Sequence, residues 1–320
     1  MTLVLLFACT EPLKSEPGPG DDTAAPQEPE LPVGVSTLAG AEMDQPFREP
    51  KDVALAPDGS LVIVEWSSTV RVVQSDGSVS ELPAANSSLT EASGVAVDAE
   101  GAVYVSDPAL HCIFRIADGQ TTVFAGTCGS PGFKDGGEAL FQRPRGLAFD
   151  DQGNLLVTDT ENMGVRSVDP SGVASTVTDQ LYYPFDVVYT DSGLFVVGLD
   201  HCVRRVSGGA VEDVAGLCQN WGNTGEDDGL GVDARFDTPM NLAVDADGAL
   251  LIADTFNDRL RRVDPGTGEV TTLTGIEPGF ADGLLDEALF DAPRGLAVDA
   301  WGNIYIADSL NHRIRVVVRD

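Results

Sequence analysis

Positive charge is scarce in this chain. Its 320 residues hold 19 Lys and Arg against 51 Asp and Glu, a formal net charge of −32. Nucleic-acid binding needs basic stripes that track phosphates, and none is present. Direct attraction to anionic lipid is disfavoured on the same ground. Histidine is rarer still, with three copies at His111, His201 and His312. Long apolar runs are missing from the body of the chain, so that body offers no transmembrane helix. The sequence has no nucleophile elbow, no phosphate-cradling loop, no CxxC pair and no D-x-D-x-D-G run. Each absence removes the sequence ground for the chemistry that motif serves.

What is plentiful is equally informative. Hydrophobic residues make up 42% of the chain, enough to bury a core. With 35 Gly and 19 Pro it is rich in turn formers, which suits an all-β fold. The first residues, MTLVLLFACTEP, contain Leu6-Phe7-Ala8-Cys9, a small residue before a cysteine after an apolar stretch. This is similar to the signal-peptide end of bacterial lipoproteins. The resemblance implies residues 1–8 as a lipoprotein signal peptide and diacylglycerol on Cys9. The apolar stretch is short and no Lys or Arg precedes it, so an upstream start is the alternative. Residues 10–34 are rich in Pro, Glu, Gly and Asp. Such a segment buries too little to fold, and residues 9–34 are expected to be a disordered tether.

Residues 35–320 form an array. The best copies are PRGLAFDDQGNLLVTDTENMGVRSV from Pro144, PMNLAVDADGALLIADTFNDRLRRV from Pro239 and PRGLAVDAWGNIYIADSLNHRIRVV from Pro293. Weaker copies start at Pro50, Ala92 and Pro184. A glycine after the first short strand marks all six: Gly59, Gly101, Gly153, Gly193, Gly248 and Gly302. Each copy reads as short strands separated by turns. Four antiparallel strands repeated six times predict a six-bladed β-propeller. Small residues on the first strand (Ala54, Ala96, Ala148, Ala243, Ala297) suit crowding near a central axis. The last copy lacks a fourth strand, and VSTLAG at 35–40 resembles VTTLTG at Val270. The N-terminal segment is therefore expected to complete the last blade and close the ring.

These motifs resemble NHL-repeat propellers over roughly residues 35–320. The resemblance rests on the P-x-G-[LV]-A-[VF]-D start together with A-D-[TS]-x-N-x-R-[IL]-R. In the amidating lyase that shares this fold, histidines after the repeat prolines help bind zinc. Here those positions carry Arg145, Phe185, Met240 and Arg294. Lactonase-like sites use Glu, Asn and Asp near the axis, oxygens that Asp52, Asp186 and Asn241 could supply. The three histidines share another repeat position, away from the innermost strand.

Two matching frames, HCIFRIADGQTTVFAGTC and HCVRRVSGGAVEDVAGLC, place a turn midway between cysteines. Folding each hairpin sets Cys112 opposite Cys128 and Cys202 opposite Cys218, so two disulfides and an oxidising compartment are predicted. Asp159, Asp254 and Asp308 are expected to pair with Arg166, Arg261 and Arg315 across strands, with Glu65 and Arg71 as a variant. Phe114 and Gly198 break the pattern in two copies. Three connecting loops share D-G followed by A-x-F-x-x-P, the Ala and Phe being expected to pack a short helical turn onto the blade. No cofactor and no bound metal are expected; calcium around Asp227 is the alternative.

Residues just after the repeat prolines should meet at the centre of one face: Lys51, Asp52, Arg145, Asp186, Met240, Asn241 and Arg294. The expected function is a monomeric, lipid-anchored binding or scaffold module for a protein, peptide or glycan. It is expected in the bacterial envelope, as an outer-membrane lipoprotein facing the periplasm or the cell surface. The competing function is a metal-dependent lyase or lactonase-like hydrolase at the central pore. Fold analogy alone does not choose between them.

Overall fold

The computed structural model describes residues 31–40, 46–82, 88–218 and 222–319. The expected signal peptide, Cys9 and the tether as far as residue 30 lie outside the described residues. Among the described residues there are six antiparallel sheets. Blades 1 to 6 take their innermost strands from Pro50–Leu55, Val95–Val97, Pro144–Phe149, Pro184–Thr190, Pro239–Val244 and Pro293–Val298. The protein is an all-β, six-bladed propeller with four strands in each blade and a short fifth strand, Gly229–Leu230, on blade 5.

Local chemistry sets the strand lengths. The D-x-x-G turn after the innermost strand closes on an aspartate side chain: Asp150 Oδ1 accepts from the Gln152 and Asn154 amides, and Asp299 Oδ1 from those of Trp301 and Asn303. The following glycine takes the left-handed backbone this turn requires, as Gly153 does at φ 79°. The copy that starts at Ala92 lacks the repeat proline, and its innermost strand is only three residues long. The weak copies at Pro50 and Pro184 nonetheless build complete blades.

Second strands such as Leu155–Asp159 and Ile304–Asp308 are buried at every residue, because neighbouring blades cover both faces. The apolar core is divided into six clusters, and each straddles two adjacent blades. One joins Ile63 and Val73 of blade 1 to Ile314 and Val316 of blade 6, so the ring is closed by packing. It is closed by hydrogen bonds too. Gly34–Ala39 pairs antiparallel with Arg313–Val318, matching Val35 to Val317, as the repeat pattern implied. This strand begins one residue before the boundary expected from sequence. Both predicted disulfides are present: Cys112–Cys128 and Cys202–Cys218, with Cα separations of 5.2 and 5.5 Å.

The acid–arginine pairs prove to be larger units. Arg166, Arg261 and Arg315 are fully buried, and each meets its strand aspartate at 2.7–2.9 Å. Each also meets a loop aspartate, Asp135, Asp228 or Asp282 respectively, from the D-G motif. The motif phenylalanine lies 5.0–5.2 Å from the guanidinium, making Phe141, Phe236 and Phe290 cation–π platforms. The glycine after the loop aspartate bridges to the outermost strand: Gly136 to Ala174, Gly229 to Val270, Gly283 to Val35. The loop motif is thus a clamp on a buried arginine. Blade 1 keeps a reduced version, with Glu65 at 3.3 Å from Arg71 over Phe47. Within the D-G loops a short helix is present at Gly231–Asp233 only; the other two hold turns.

Deleting Gly34–Ala39 uncovers the hydrogen-bonding edge of Arg313–Val318 and removes Val35 and Ala39 from the core. The expected result is a melting temperature lower by more than about 10 °C, given roughly 2–4 °C per kcal/mol for a domain of this size. Calorimetry of the truncated protein checks it, and an unchanged melt would rule out closure by this strand.

Candidate functional site

The innermost strands enter the axis through a strained turn. The residues before the repeat prolines, Glu49, Arg143, Tyr183, Thr238 and Ala292, have φ of 40–55°, a region L-residues seldom adopt. Neighbouring blades hold four of these turns. His312 Nδ1 accepts from the Glu49 amide at 3.2 Å, His111 Nδ1 from Arg143 at 3.1 Å and His201 Nδ1 from Thr238 at 2.9 Å. Asp258 does the same for the Ala292 amide at 2.7 Å. In each contact the Nδ1 is the acceptor and carries no proton there. Burial holds His201 below its usual range, which favours the neutral form. The three histidines are therefore joints between blades.

Directly after each proline the chain reaches the centre. Lys51, Asp52, Arg145, Asp186, Met240, Asn241 and Arg294, all seven residues expected there, line one cavity of about 260 Å³. Trp66, Glu91 and Phe185 also line it, and sequence reasoning did not select them as contacts. Trp66 follows the second strand of blade 1 and is mostly exposed, 4.4 Å from the Lys51 ammonium. Phe185 sits after the proline of blade 4, 5.2 Å from the Arg145 guanidinium. Its position in the repeat was a usable signal.

Two tiers of side chains divide the work. The second residues after the prolines bind the ring together. Asp52 of blade 1 accepts from the Val95 amide of blade 2 at 2.9 Å and from Asn241 Nδ2 at 3.1 Å. Asp186 of blade 4 accepts from the Leu242 amide of blade 5 at 3.1 Å. Asn241 Oδ1 accepts from the Leu296 amide of blade 6 at 2.9 Å. Gly146 occupies the same position in blade 3, where a Cβ would lie 2.2 Å from Asp186 Oδ1. The glycine of the P-x-G motif makes room for the neighbour's acid.

The first residues after the prolines form the upper tier, and they are half-buried. Lys51 donates to the Ala92 carbonyl at 2.8 Å. Arg145 and Arg294 have no hydrogen bond or ion pair to any described residue, and the Nε of each is shielded from solvent. Glu91, the nearest acid of this tier, is engaged by Arg143 at 3.0 Å. Burial lowers the Lys51 ammonium to about 8, with the charges of Arg294 and Arg145 pushing the same way and Glu91 opposing. Burial also pulls both guanidinia below their usual range. Below them, burial lifts the Asp52 carboxyl to about 7, and burial followed by the Asp52 charge raises Asp186 well above the usual carboxylate range.

These residues do not fit a metal centre. The oxygens of Asp52, Asp186 and Asn241 are directed at amide donors, and no group of three or more His, Cys, Asp or Glu side chains suited to an ion occurs among the described residues. Around Asp227 the acids serve the arginine clamp: Asp228 holds Arg261 and the Thr272 amide, and the Asp227 carbonyl accepts from Arg261.

The model of the NHL repeat matches residues 141–166 and 290–317, which cover the innermost and second strands and the clamped Arg166 and Arg315 of blades 3 and 6. The chain carries NHL repeats. Over 60% of its length the chain is 25% identical to Protein SUPPRESSOR OF QUENCHING 1 of Arabidopsis thaliana. The chain spans about a quarter of that relative's length. Among solved structures, an auxiliary nutrient binding protein from Bacteroides ovatus has a TM-score of 0.73 at 19% identity, covering 89% of this chain and 76% of that one. A gluconolactonase from Xanthomonas campestris reaches 0.62 at 15% identity, covering 88% of both chains. The six-bladed propeller fold is thus common to proteins titled a binding protein and an enzyme, and the site must decide between them.

The raised carboxyls make stability depend on pH. The folded state keeps protons on the Asp52–Asp186 pair that the unfolded chain has already lost. Each carboxyl contributes fully below about pH 4; the Asp52 part is lost as pH rises through about 7, and the Asp186 part as pH rises through its own raised value. Asp186→Asn should flatten the stability profile between pH 5 and 8 by up to about 1.4 kcal/mol per pH unit. Denaturant melts at each pH test this, and an identical slope in parent and variant would place the titration elsewhere.

Proposed function

We propose that this chain is an extracytoplasmic binding module that holds its ligand in the cavity at the propeller axis. The observation that carries the reading is the convergence of side chains from all six blades on one small cavity. Two of them, Arg145 and Arg294, face the aromatic rings of Phe185 and Trp66 but make no hydrogen bond or ion pair to the described residues. A guanidinium held half-buried without an acceptor is costly unless something else supplies one. The lower tier is committed to the ring, which supports binding at the upper tier over metal chemistry at the axis. The name of the auxiliary nutrient binding protein, a neighbour in fold, agrees with a binding role.

The ligand is a protein, peptide or glycan, of which the cavity takes one protruding group. Around the cavity, loops fixed by strained turns and clamps give a rigid rim, which lowers the ordering cost of binding. Two disulfides support an oxidising compartment. With the Leu6-Phe7-Ala8-Cys9 motif they support a monomeric lipoprotein of the bacterial envelope, tethered through Cys9 and facing the periplasm or the cell surface. A net charge of −32 argues against nucleic acid and against direct contact with anionic lipid.

Calorimetric screening of short peptides and oligosaccharides tests the site. Ligands that bind the parent should lose at least about ten-fold in affinity on Arg294→Gln, with the variant still folded. Equal affinity for both proteins would move the site away from the axis. Intact-mass analysis of the chain expressed in a bacterium tests the anchor. The expected mature product begins at Cys9, carries diacylglycerol and has no free thiol; an unmodified Cys9 would remove the anchor from the proposal.

A further inference from the structure

We propose that the cavity selects a small organic anion, a carboxylate or a phosphate monoester, standing alone or as the end group of a larger ligand. This rests on the axial cavity being the binding site and names the chemistry it accepts. The accounting starts from the other arginines. Arg166, Arg261 and Arg315 each donate through their terminal nitrogens to two aspartates and two carbonyls, although the Nε of Arg166 and of Arg261 also lacks a partner. Arg145 and Arg294 donate to none of the described residues. The Lys51 ammonium uses one of its three donors, on the Ala92 carbonyl.

Glu91 and Glu161 attract Arg145 and Glu49 attracts Arg294 through their charges, but none of them forms an ion pair or hydrogen bond with either guanidinium. Glu91 is bound by both oxygens to Arg143 Nη2 at 3.0 and 3.1 Å. Asp52 and Asp186 lie in the lower tier and accept from backbone amides of neighbouring blades. Lys and Arg only donate, so the missing group must accept. Three formal positive charges on one small cavity favour an anionic acceptor over a neutral carbonyl. The planar guanidinium fork matches the paired oxygens of a carboxylate or phosphate. Trp66, Phe185 and Met240 supply apolar surface beside the charges, which suits an organic body attached to the anion.

The acidic surface does not contradict this. Exposed charges are screened within about 8 Å at physiological ionic strength, while a half-buried cluster is screened far less. Overall charge therefore governs the approach of an anion, and the local cluster governs its retention.

The test uses matched probes that differ in charge: glucuronate, glucose and glucosamine; benzoate, benzamide and benzamidine; and inorganic phosphate. Calorimetry is run on the parent, Arg145→Gln and Arg294→Gln, each first shown to be folded by its melt. The anionic member of a set should bind at least about ten-fold tighter than its neutral partner, and lose at least about ten-fold in either variant. The comparison of probes on the parent holds even where a variant fails to fold. Neutral probes binding as well as anions, or anion binding indifferent to both substitutions, would overturn the inference. A neutral probe that binds the parent and is lost in Phe185→Ala leaves the cavity as the binding site and removes the anion alone. Silence from every probe removes both.

Discussion

A blade of this propeller has two apolar faces, and water can be kept off both only if another blade stands on each side. The buried second strands make the demand plain: no residue of Leu155–Asp159 or Leu250–Asp254 is left to solvent. Six sheets meet it by forming a ring, and the ring must then be closed by a segment from the other end of the chain. Gly34–Ala39 supplies that segment. The inter-blade clusters, and the ordered approach of six strands to one axis, follow from this requirement.

Crowding at the axis then sorts the side chains. Alternate residues of an innermost strand face neighbouring blades, and the space there admits alanine, glycine or a side chain that satisfies a neighbour's amide. Asp52, Asp186 and Asn241 are tolerated because each is spent on the next blade, while Gly146 and Gly295 are small because those neighbours approach so closely. The residue directly after the proline has less of that duty: Lys51 bonds the Ala92 carbonyl of the next blade, while Arg145 and Arg294 bond none. This is why charged and aromatic groups accumulate at this position, and why they are exposed to whatever enters the cavity.

Much of this was legible in the sequence because a repeat transfers geometry from strong copies to weak ones. The glycine after the first strand set the register at Pro50 and Pro184 even where other motif residues had drifted. The same register placed all seven axial residues together. What it could not transmit was the identity of partners across blades. Nothing in the run D-G-x-x-A-x-F marks Asp135 as a ligand of Arg166, because the contact joins a loop to a strand about thirty residues later. The shared position of the histidines was visible, but their acceptor role depends on a backbone turn in the following blade. The extra strand Gly229–Leu230 escaped notice because two residues carry no periodicity.

The contrast between the whole molecule and its centre bears on function. A chain of net charge −32 has abundant carboxylates with which to neutralise a buried cation, and it does so at Arg166, Arg261 and Arg315 with two aspartates each. Arg145 and Arg294 stand in the same molecule, in a position that suits a rigid site, without one. Loss of folding stability is the usual cost of such an arrangement, and proteins bear it chiefly where binding requires it. The clamped arginines show what the fold does with a cation that serves structure. By that internal standard, the two at the axis lack the acid partners that a structural cation receives here, which is the ground on which a ligand is proposed for them.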